Sequence, residues 1–164
     1  DATLSTSIYE YDGGYMKPGV VVKLNDTLLV AGKDYTVSYI NNKKVGTATV
    51  IVNGIVQYTG SISKTFTINP AKQNIQKLET RYGGFFVDWA QKGSATGYEI
   101  QYATSSKFSG AKKVTVTNNK TDKKTISKLS GKKKYYVRVR SYTTVKGKKY
   151  YGAWSSTKSV TTKK

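Results

Sequence analysis

Few residues of this chain could carry out acid–base, nucleophilic or metal chemistry. The 164 residues include no His and no Cys, so the commonest general base, the thiolate nucleophile and the usual zinc ligands are missing. Glu10 and Asp12 lie two residues apart, but a glycosidase-type pair needs carboxylates that flank a cleft. No calcium-binding Asp-x-Asp-x-Asp-Gly loop and no glycine-rich phosphate loop occurs. We therefore expect no enzyme activity, no catalytic residue, no cofactor site and no metal site.

Positive charge is the strongest chemical signal in the sequence. Lys and Arg total 28 against nine Asp and Glu, which gives a formal net charge of +19. Up to Ala71 there are six basic and five acidic residues, and the remaining 22 basic and four acidic residues follow from Lys72 onward. A basic surface of this kind attracts polyanions such as nucleic acids, wall polymers and acidic glycans. It also serves simply to keep a protein in solution, and we favour that interpretation.

The elements that position these residues are predicted to be strands. Apolar and polar residues alternate in every strong segment, as in Tyr35, Val37 and Tyr39, and again at 48–52, 62–68, 85–89, 98–102, 114–116 and 135–139. A period of two gives each strand one inward, apolar face. Turn residues lie between these segments, among them 41–43, 53–54 and 146–147. The pattern therefore predicts an all-β fold.

The composition changes abruptly near Pro70. Proline cannot donate a hydrogen bond to a sheet, so a strand must end there. The net charge is +1 before Lys72 and +18 from Lys72 onward, because six basic residues oppose five acids in the first part and 22 oppose four in the second. One hydrophobic core would not change composition so sharply, so the sequence predicts two domains, residues 1–70 and 71–164.

Several motifs of the second domain point to one known sandwich family. Trp89 stands on the predicted second strand, and Tyr-Glu-Ile-Gln-Tyr follows at 98–102. Leu129 precedes Tyr135 by six residues, and Tyr-Gly-Ala-Trp-Ser-Ser at 151–156 is followed by Val-Thr-Thr at 160–162. At these positions residues 73–164 resemble the fibronectin type III family, with Trp89 as its core Trp and Leu129 and Tyr135 as its tyrosine corner. The usual Pro of that corner is replaced, leaving Leu-Ser-Gly at 129–131.

The first domain carries motifs of a different kind. Gly-Lys-Asp-Tyr-Thr-Val-Ser-Tyr at 32–39, Val-Gly-Thr-Ala-Thr-Val at 45–50 and Thr-Phe-Thr-Ile at 65–68 resemble small Ig-like repeats of bacterial cell-surface proteins. The two resemblances imply two tandem β-sandwich domains, Ig-like followed by fibronectin type III. They also imply an exported protein, extracellular or on the bacterial cell surface, where such modules act as non-catalytic spacers or adhesive surfaces. That step from fold to function is an analogy.

The fibronectin type III arrangement brings three loops together where the chain enters the second domain. These loops carry the candidate polyanion-binding residues Lys92, Lys120, Lys123, Lys124, Lys146, Lys148 and Lys149. They give the alternative function, an adhesin-type module that binds a polyanionic or glycan ligand. Sequence-specific recognition of nucleic acid is not expected, because Lys cannot make the two-pronged contact of Arg with a base edge. The opposite end is expected to carry Lys132, Lys133 and Lys134.

A second candidate surface follows from alternation along one strand. Tyr136, Arg138, Arg140 and Tyr142 are expected to project outward, where they could stack on a sugar or on a protein partner. In the other interpretation, which we favour, Trp154 on the adjoining last strand intercalates between the Arg side chains and Glu99 pairs with one of them. The spacing does not say whether Trp154 points inward or outward.

The remaining expectations concern membranes and partners. The longest apolar runs, 20–22 and 50–52, are far shorter than the roughly 20 residues of a membrane-spanning helix, so we expect no span. The expected partners are the neighbouring domains of a larger surface protein. A cell-wall polyanion, a glycan or a host protein are further candidates.

Overall fold

Strands account for all regular secondary structure in the chain. The computed structural model describes residues 1–164, which form fifteen strands and no helix. This confirms the predicted all-β fold class. None of the elements is a helix that could cross a membrane. The chain divides into unit 1, Asp1–Asn69, and unit 2, Pro70–Lys164, so the division lies beside the proline at which the composition changes.

Unit 1 is built from seven strands in two sheets. The first sheet has the order β1-β3-β4 and the second the order β2-β7-β6-β5. The pairing of β2 with β7 is parallel and the other pairs are antiparallel. The strands are β1 (Ala2–Leu4), β2 (Ile8–Glu10), β3 (Val20–Leu24), β4 (Thr27–Leu28), β5 (Tyr35–Ile40), β6 (Gly46–Gly54) and β7 (Ser61–Asn69).

The core of unit 1 lies between these sheets. Val22 from the first sheet packs with Val50 and Phe66 from the second, on the faces that the alternation of apolar residues predicts. The turn predicted at 53–54 is wrong. Both residues belong to β6, and the connection closes six residues later, where the Gly54 N–H donates to the Gly60 carbonyl at 3.0 Å.

Unit 2 is a sandwich of a three-stranded and a five-stranded sheet. The smaller sheet has the order β12-β9-β8. The larger sheet has the order β11-β10-β13-β14, and its fifth strand, β15, also pairs with β13. The strands are β8 (Ile75–Arg81), β9 (Gly84–Trp89), β10 (Gly97–Ala103), β11 (Lys112–Val116), β12 (Lys123–Ile126), β13 (Lys134–Val145), β14 (Lys148–Tyr151) and β15 (Lys158–Thr161).

The core of unit 2 is aromatic. Trp89 and Tyr98 are completely buried, with ring centroids 5.4 Å apart, and Tyr135 packs against Phe85 and Tyr102. The complete burial of Trp89 is what the fibronectin type III resemblance implies for its core Trp. The inward faces of both sheets therefore fill one core, and the polar chemistry of unit 2 lies on its outer faces and loops.

The last strand of unit 2 is interrupted. The chain leaves β14 after Tyr151 and rejoins β13 as β15. At the break Gly152 donates its N–H to the Ser141 carbonyl at 3.0 Å. A Cβ on Gly152 would come within 2.7 Å of the Pro70 carbonyl oxygen, so the close approach of the two segments requires glycine. After the break the chain stays beside β13, because the Ser155 N–H donates to the Val139 carbonyl at 2.8 Å, and the Trp154 side chain lies over the outer face of β13.

Candidate functional site

The outer face of β13 carries alternating aromatic rings and guanidinium groups, which we call the arginine stack. Its members, in order, are Phe108, Arg138, Trp154, Arg140 and Tyr151. The Cζ of Arg138 lies 4.0 Å from the ring centroid of Phe108 and 4.6 Å from that of Trp154. The Cζ of Arg140 lies 4.3 Å from Trp154 and 3.9 Å from Tyr151. Each guanidinium therefore contacts two rings, and the two arginines share Trp154.

Strand register determines which polar groups hold the arginines. Gln101 faces Arg138 and Glu99 faces Arg140 across the β10–β13 pair. Arg138 donates from Nε to Gln101 Oε1 at 2.8 Å. Arg140 donates from Nε and Nη2 to Glu99 Oε2, at 2.9 and 2.6 Å. The rings cover the faces of the guanidinium groups while β10 binds their edges.

Burial lowers the pKa of Arg138, and the like charge of Arg140 lowers it further. A guanidinium nevertheless stays protonated in proteins. The lowered pKa therefore reports a desolvation cost. The two rings and the Gln101 amide offset that cost. The carboxylate of Glu99 neutralises Arg140, so the two neighbouring positive charges are tolerated.

The structure joins three of the five residues predicted for this stripe. Arg138, Arg140 and Trp154 form the centre of the stack, and Trp154 lies between the two guanidinium groups. Tyr136 does not join them. It is half-buried, and the ammonium of Lys134 lies 5.4 Å from its ring centroid.

The expected outward exposure of Tyr142 is wrong. Tyr142 is only 2% exposed, although it lies on the same strand face as Arg140. It pairs with Gly97 on one side and with Tyr151 on the other. Gly97 has no side chain, and a Cβ there would come within 2.8 Å of the Tyr142 hydroxyl. Tyr142 thus lies in the space that Gly97 leaves, and the ammonium of Lys149 covers its ring at 4.6 Å.

Alternation does not predict the two outer members of the stack. Tyr151 is indicated only by register, because it pairs with Tyr142 next to Arg140. Phe108 has no sequence signal, since it lies in the irregular 104–111 segment. Its φ of +59° is rare for a bulky residue. The turn that holds it there places its ring on Arg138, which links this loop to the larger sheet.

The second candidate site is the end of unit 2 at which β9 finishes, which we call the basic end. It consists of segments 90–96 and 117–122, the 146–147 turn and the seven candidate lysines. Tyr98 joins the first two segments, because its hydroxyl accepts from the Lys92 N–H at 2.8 Å and donates to the Asn119 carbonyl at 3.1 Å. Burial raises the pKa of this hydroxyl. Gln91 adds a bond from Nε2 to the Lys120 carbonyl at 2.7 Å.

The β13–β14 hairpin is tied to the same end. Thr143 Oγ1 donates to the Ser94 carbonyl at 2.7 Å, and the Thr144 N–H donates to Thr96 Oγ1 at 2.9 Å. The tight turn that follows has positive φ at Lys146 and Gly147, +48° and +80°, which is the two-residue geometry of hairpins. The three groups of candidate lysines therefore occupy one end of unit 2.

The lysines of the basic end are not equivalent. Lys92 is half-buried and the other six are exposed. Lys123 and Lys124 begin β12, so their side chains point to opposite faces, and Lys123 pairs in register with Asp88. The ammonium of Lys148 lies 5.1 Å from the ring of Tyr150. The positive charge is thus spread around the end of the sandwich.

Unit 1 contains a separate cavity of about 280 Å³ that sequence spacing does not predict. Val22, Leu29, Tyr35 and Tyr58 are among the residues that line it. Asp34 also lines it, but its Oδ2 accepts from the Val30 N–H at 2.7 Å, so this carboxylate closes the turn before β5. Its geometry explains a structural role and indicates no acid–base pair.

Comparison with known proteins identifies the fold. No protein-family model matches the chain, and no curated protein matches it. Solved structures do match. The chain is similar to the crystal structure of chicken CNTN1 FN1–FN3 domains, with a TM-score of 0.52, 18% sequence identity and coverage of 74% of this chain and 44% of that chain. It therefore spans less than half the length of that structure.

Two further structures have lower scores. A myokine structure matches with a TM-score of 0.48, 13% identity and coverage of 58% of this chain and 99% of that chain. A beta-1,2-glucanase from Parabacteroides distasonis matches with a TM-score of 0.47, 16% identity and coverage of 71% and 18%. The likeness to the CNTN1 domains supports a fibronectin type III-like β-sandwich fold. The resemblance of the first domain to bacterial Ig-like repeats stays a prediction.

Proposed function

We propose that this chain is a non-catalytic structural and interaction module of an exported bacterial cell-surface protein. The arginine stack supports this most directly. Its rings bind the faces of the guanidinium groups, and side chains of β10 bind the edges, so the groups that a ligand would contact are already occupied. These contacts join β10, β13, β14 and the 104–111 loop. Such an outer face stabilises a rigid spacer. The absence of His and Cys from the sequence supports a non-catalytic role.

Surface labelling tests the location. Antibodies raised against the purified chain should bind intact cells that produce the parent protein, and brief protease treatment of those cells should remove the signal. Labelling only after lysis would contradict an exported role. The purified chain should also leave glycan, peptide and ester substrates unhydrolysed, and turnover that co-purifies with the chain would contradict the non-catalytic assignment.

A second candidate function is supported by the basic end. Seven lysines on three segments joined by hydrogen bonds make an anion-attracting surface, and the one acid in those segments, Asp122, lies 3.3 Å from the Gln91 amide. The ligand would be a polyanion or acidic glycan, such as a phosphate-rich cell-wall polymer. Contacts of this kind weaken steeply with salt. Retention on immobilised heparin should therefore fall between low and moderate salt.

The chain offers a matched control for this test. Replacement of Lys120, Lys123 and Lys124 by Gln removes three charges from the basic end. Lys132, Lys133 and Lys134 lie at the other end of unit 2, since β13 begins at Lys134 and runs for twelve residues towards the basic end. Their replacement by Gln removes the same charge from that end. The first variant should elute from heparin at lower salt than the second. Equal losses would show that net charge alone binds the polymer.

A further inference from the structure

The edges of the sheets differ in how they are protected from pairing with other chains. An edge strand exposes unpaired N–H and C=O groups, and proteins usually blunt it with charges, bulges or short length. In unit 2, β8 has a register shift between Ile75 and Lys77. The edge strands β11, β12 and β14 each begin with two lysines, and the edge strand β15 begins with one. In unit 1, the edge strands β1, β2 and β4 have three residues or fewer.

The remaining edge strand, β5, has none of these protections. It has six residues, Tyr-Thr-Val-Ser-Tyr-Ile, with no charge and no proline. It pairs with β6 in six consecutive steps without a register shift. On its other side only the first residue, Tyr35, is paired, through a single bridge to Ala31, and no strand covers Thr36–Ile40. Ile40 at its end is 47% exposed. It is therefore the longest uninterrupted, uncharged edge in the chain.

The hydrogen bonds around β5 show which backbone groups are free. The N–H and C=O of one residue point to the same side of a strand, and successive residues alternate. The Asp34 carbonyl accepts from Ile55, just beyond β6, whereas the Tyr35 carbonyl accepts from Gly32 on the opposite side. The backbone groups of Thr36, Ser38 and Ile40 therefore face β6. Those of Val37 and Tyr39 face the open edge.

We propose that β5 is a self-association edge that pairs antiparallel with β5 of a second copy of this chain. With a two-fold axis at Ser38, Val37 faces Tyr39 of the second copy, and the free groups of both residues in both copies form four hydrogen bonds. Thr36 then covers Ile40 of the second copy, and Ser38 faces its own equivalent. All these side chains are neutral, so no charge opposes the pairing.

The side chains and the charge of unit 1 favour a second copy as the occupant. Val37 and Tyr39 are half-buried at the open side of the core, and each would cover the other across the axis. Unit 1 has six basic and five acidic residues, so the paired units repel one another little. The charge of +18 from Lys72 onward opposes association of whole chains, and physiological salt screens it. One short strand buries less than the roughly 1,200 Å² of a standard stable interface, so the dimer is weak and concentration-dependent.

Substitution of Ser38 by charged residues of either sign tests this pairing. Ser38 is exposed and would lie about 4.5 Å, Cα to Cα, from its equivalent. Sedimentation equilibrium at physiological salt should show the mass of the wild-type chain rising from 18.1 kDa towards twice that value with concentration. Ser38→Lys and Ser38→Glu should each stay monomeric, because like charges then face one another. An equimolar mixture of the two should dimerise again.

A matched variant controls for added charge. Thr65→Lys places a charge on the same outer face but on the inner strand β7, opposite Thr49, and should dimerise as the wild type does. Circular dichroism should show all three variants folded. A wild-type chain that stays monomeric at every concentration overturns the proposal. So does a Ser38→Lys chain that still dimerises, or a Lys and Glu mixture that does not.

Discussion

Glu99 holds the guanidinium of Arg140 through one carboxylate oxygen, which accepts from Nη2 at 2.6 Å and from Nε at 2.9 Å. The side chain of Glu99 is 8% exposed and that of Arg140 is 21% exposed. Both charges are therefore largely removed from water, and each depends on the other for compensation. This pair anchors the arginine stack to β10.

Removal of the carboxylate should destabilise unit 2. We expect Glu99→Ala to lower the free energy of unfolding by about 3 kcal/mol, because a shielded guanidinium then lacks its counter-charge. Urea denaturation followed by Trp fluorescence measures the loss. Glu79→Ala is the control, since Glu79 pairs with Lys77 and Arg81 on the surface and should change stability little. Equal effects of the two substitutions would contradict the anchoring role.

The stack should discriminate between Arg and Lys at position 138. Arg138→Lys retains the charge but loses the planar group between Phe108 and Trp154. We expect a loss of about 1 kcal/mol in the free energy of unfolding, which is the usual size of a cation–π contact. Arg81→Lys is a suitable control, because Arg81 is exposed and lies 5.5 Å from the one ring of Phe86. An unchanged urea midpoint for Arg138→Lys would refute this prediction.

Glycine at position 97 should be required for the packing of Tyr142. A Cβ at Gly97 would overlap the Val116 carbonyl oxygen and come within 2.8 Å of the Tyr142 hydroxyl. Gly97→Ala should therefore lower the melting temperature markedly. A Cβ at Gly93 would meet nothing within 4 Å, so Gly93→Ala should leave the melting temperature nearly unchanged. Similar melting temperatures for both variants would mean that Tyr142 moves aside without cost.

Alkaline pH should destabilise unit 2 through Tyr102. Burial raises the pKa of Tyr102 above its ordinary value of 10.0, and Tyr135 raises it further. The unfolded chain then loses this proton at a lower pH than the folded chain. The contribution to stability is complete below pH 10.0 and is lost as the pH rises through the folded pKa.

Tyr102→Phe separates this effect from the titration of lysines. The variant keeps the ring, whose centroid lies 5.6 Å from that of Phe85, but has no ionising group there. Its free energy of unfolding, measured by urea denaturation across alkaline buffers, should fall less steeply than that of the wild type. Tyr82→Phe, at a residue that is 78% exposed, should follow the wild type. Parallel curves for all three proteins would exclude Tyr102 as the source.

A strained residue in unit 1 offers a stabilising substitution. Val56 has a φ of +60° and is 91% exposed. A left-handed conformation costs an L-residue about 1–2 kcal/mol, and Asn tolerates it better than Val. Val56→Asn should therefore raise the free energy of unfolding of unit 1 by about 1 kcal/mol, measured by amide hydrogen exchange in β6. Val21→Asn, in a regular strand, should instead lower it, and a loss at Val56 would contradict the assignment of strain.

The strand faces follow directly from the sequence because alternation depends only on local geometry. Tyr98, Ile100, Val137 and Val139 are all completely buried, as a period of two requires. The same rule misplaces Tyr142, whose exposure depends on the residue across the strand rather than on its own neighbours. It also places the turn after β6 too early, because the turn signal at 53–54 is overridden by the bond that closes the loop at Gly60.

The sequence by itself determined the all-β class, the buried strand faces and the change of charge near Pro70, since each depends on local composition or spacing. Only the tertiary structure decided that Trp154 lies between Arg138 and Arg140, that Phe108 completes the stack from a distant loop, and that β5 is left as an unprotected edge. Those relationships depend on which strands become neighbours. Neighbouring strands are brought together by the burial of a shared core, which no single segment specifies.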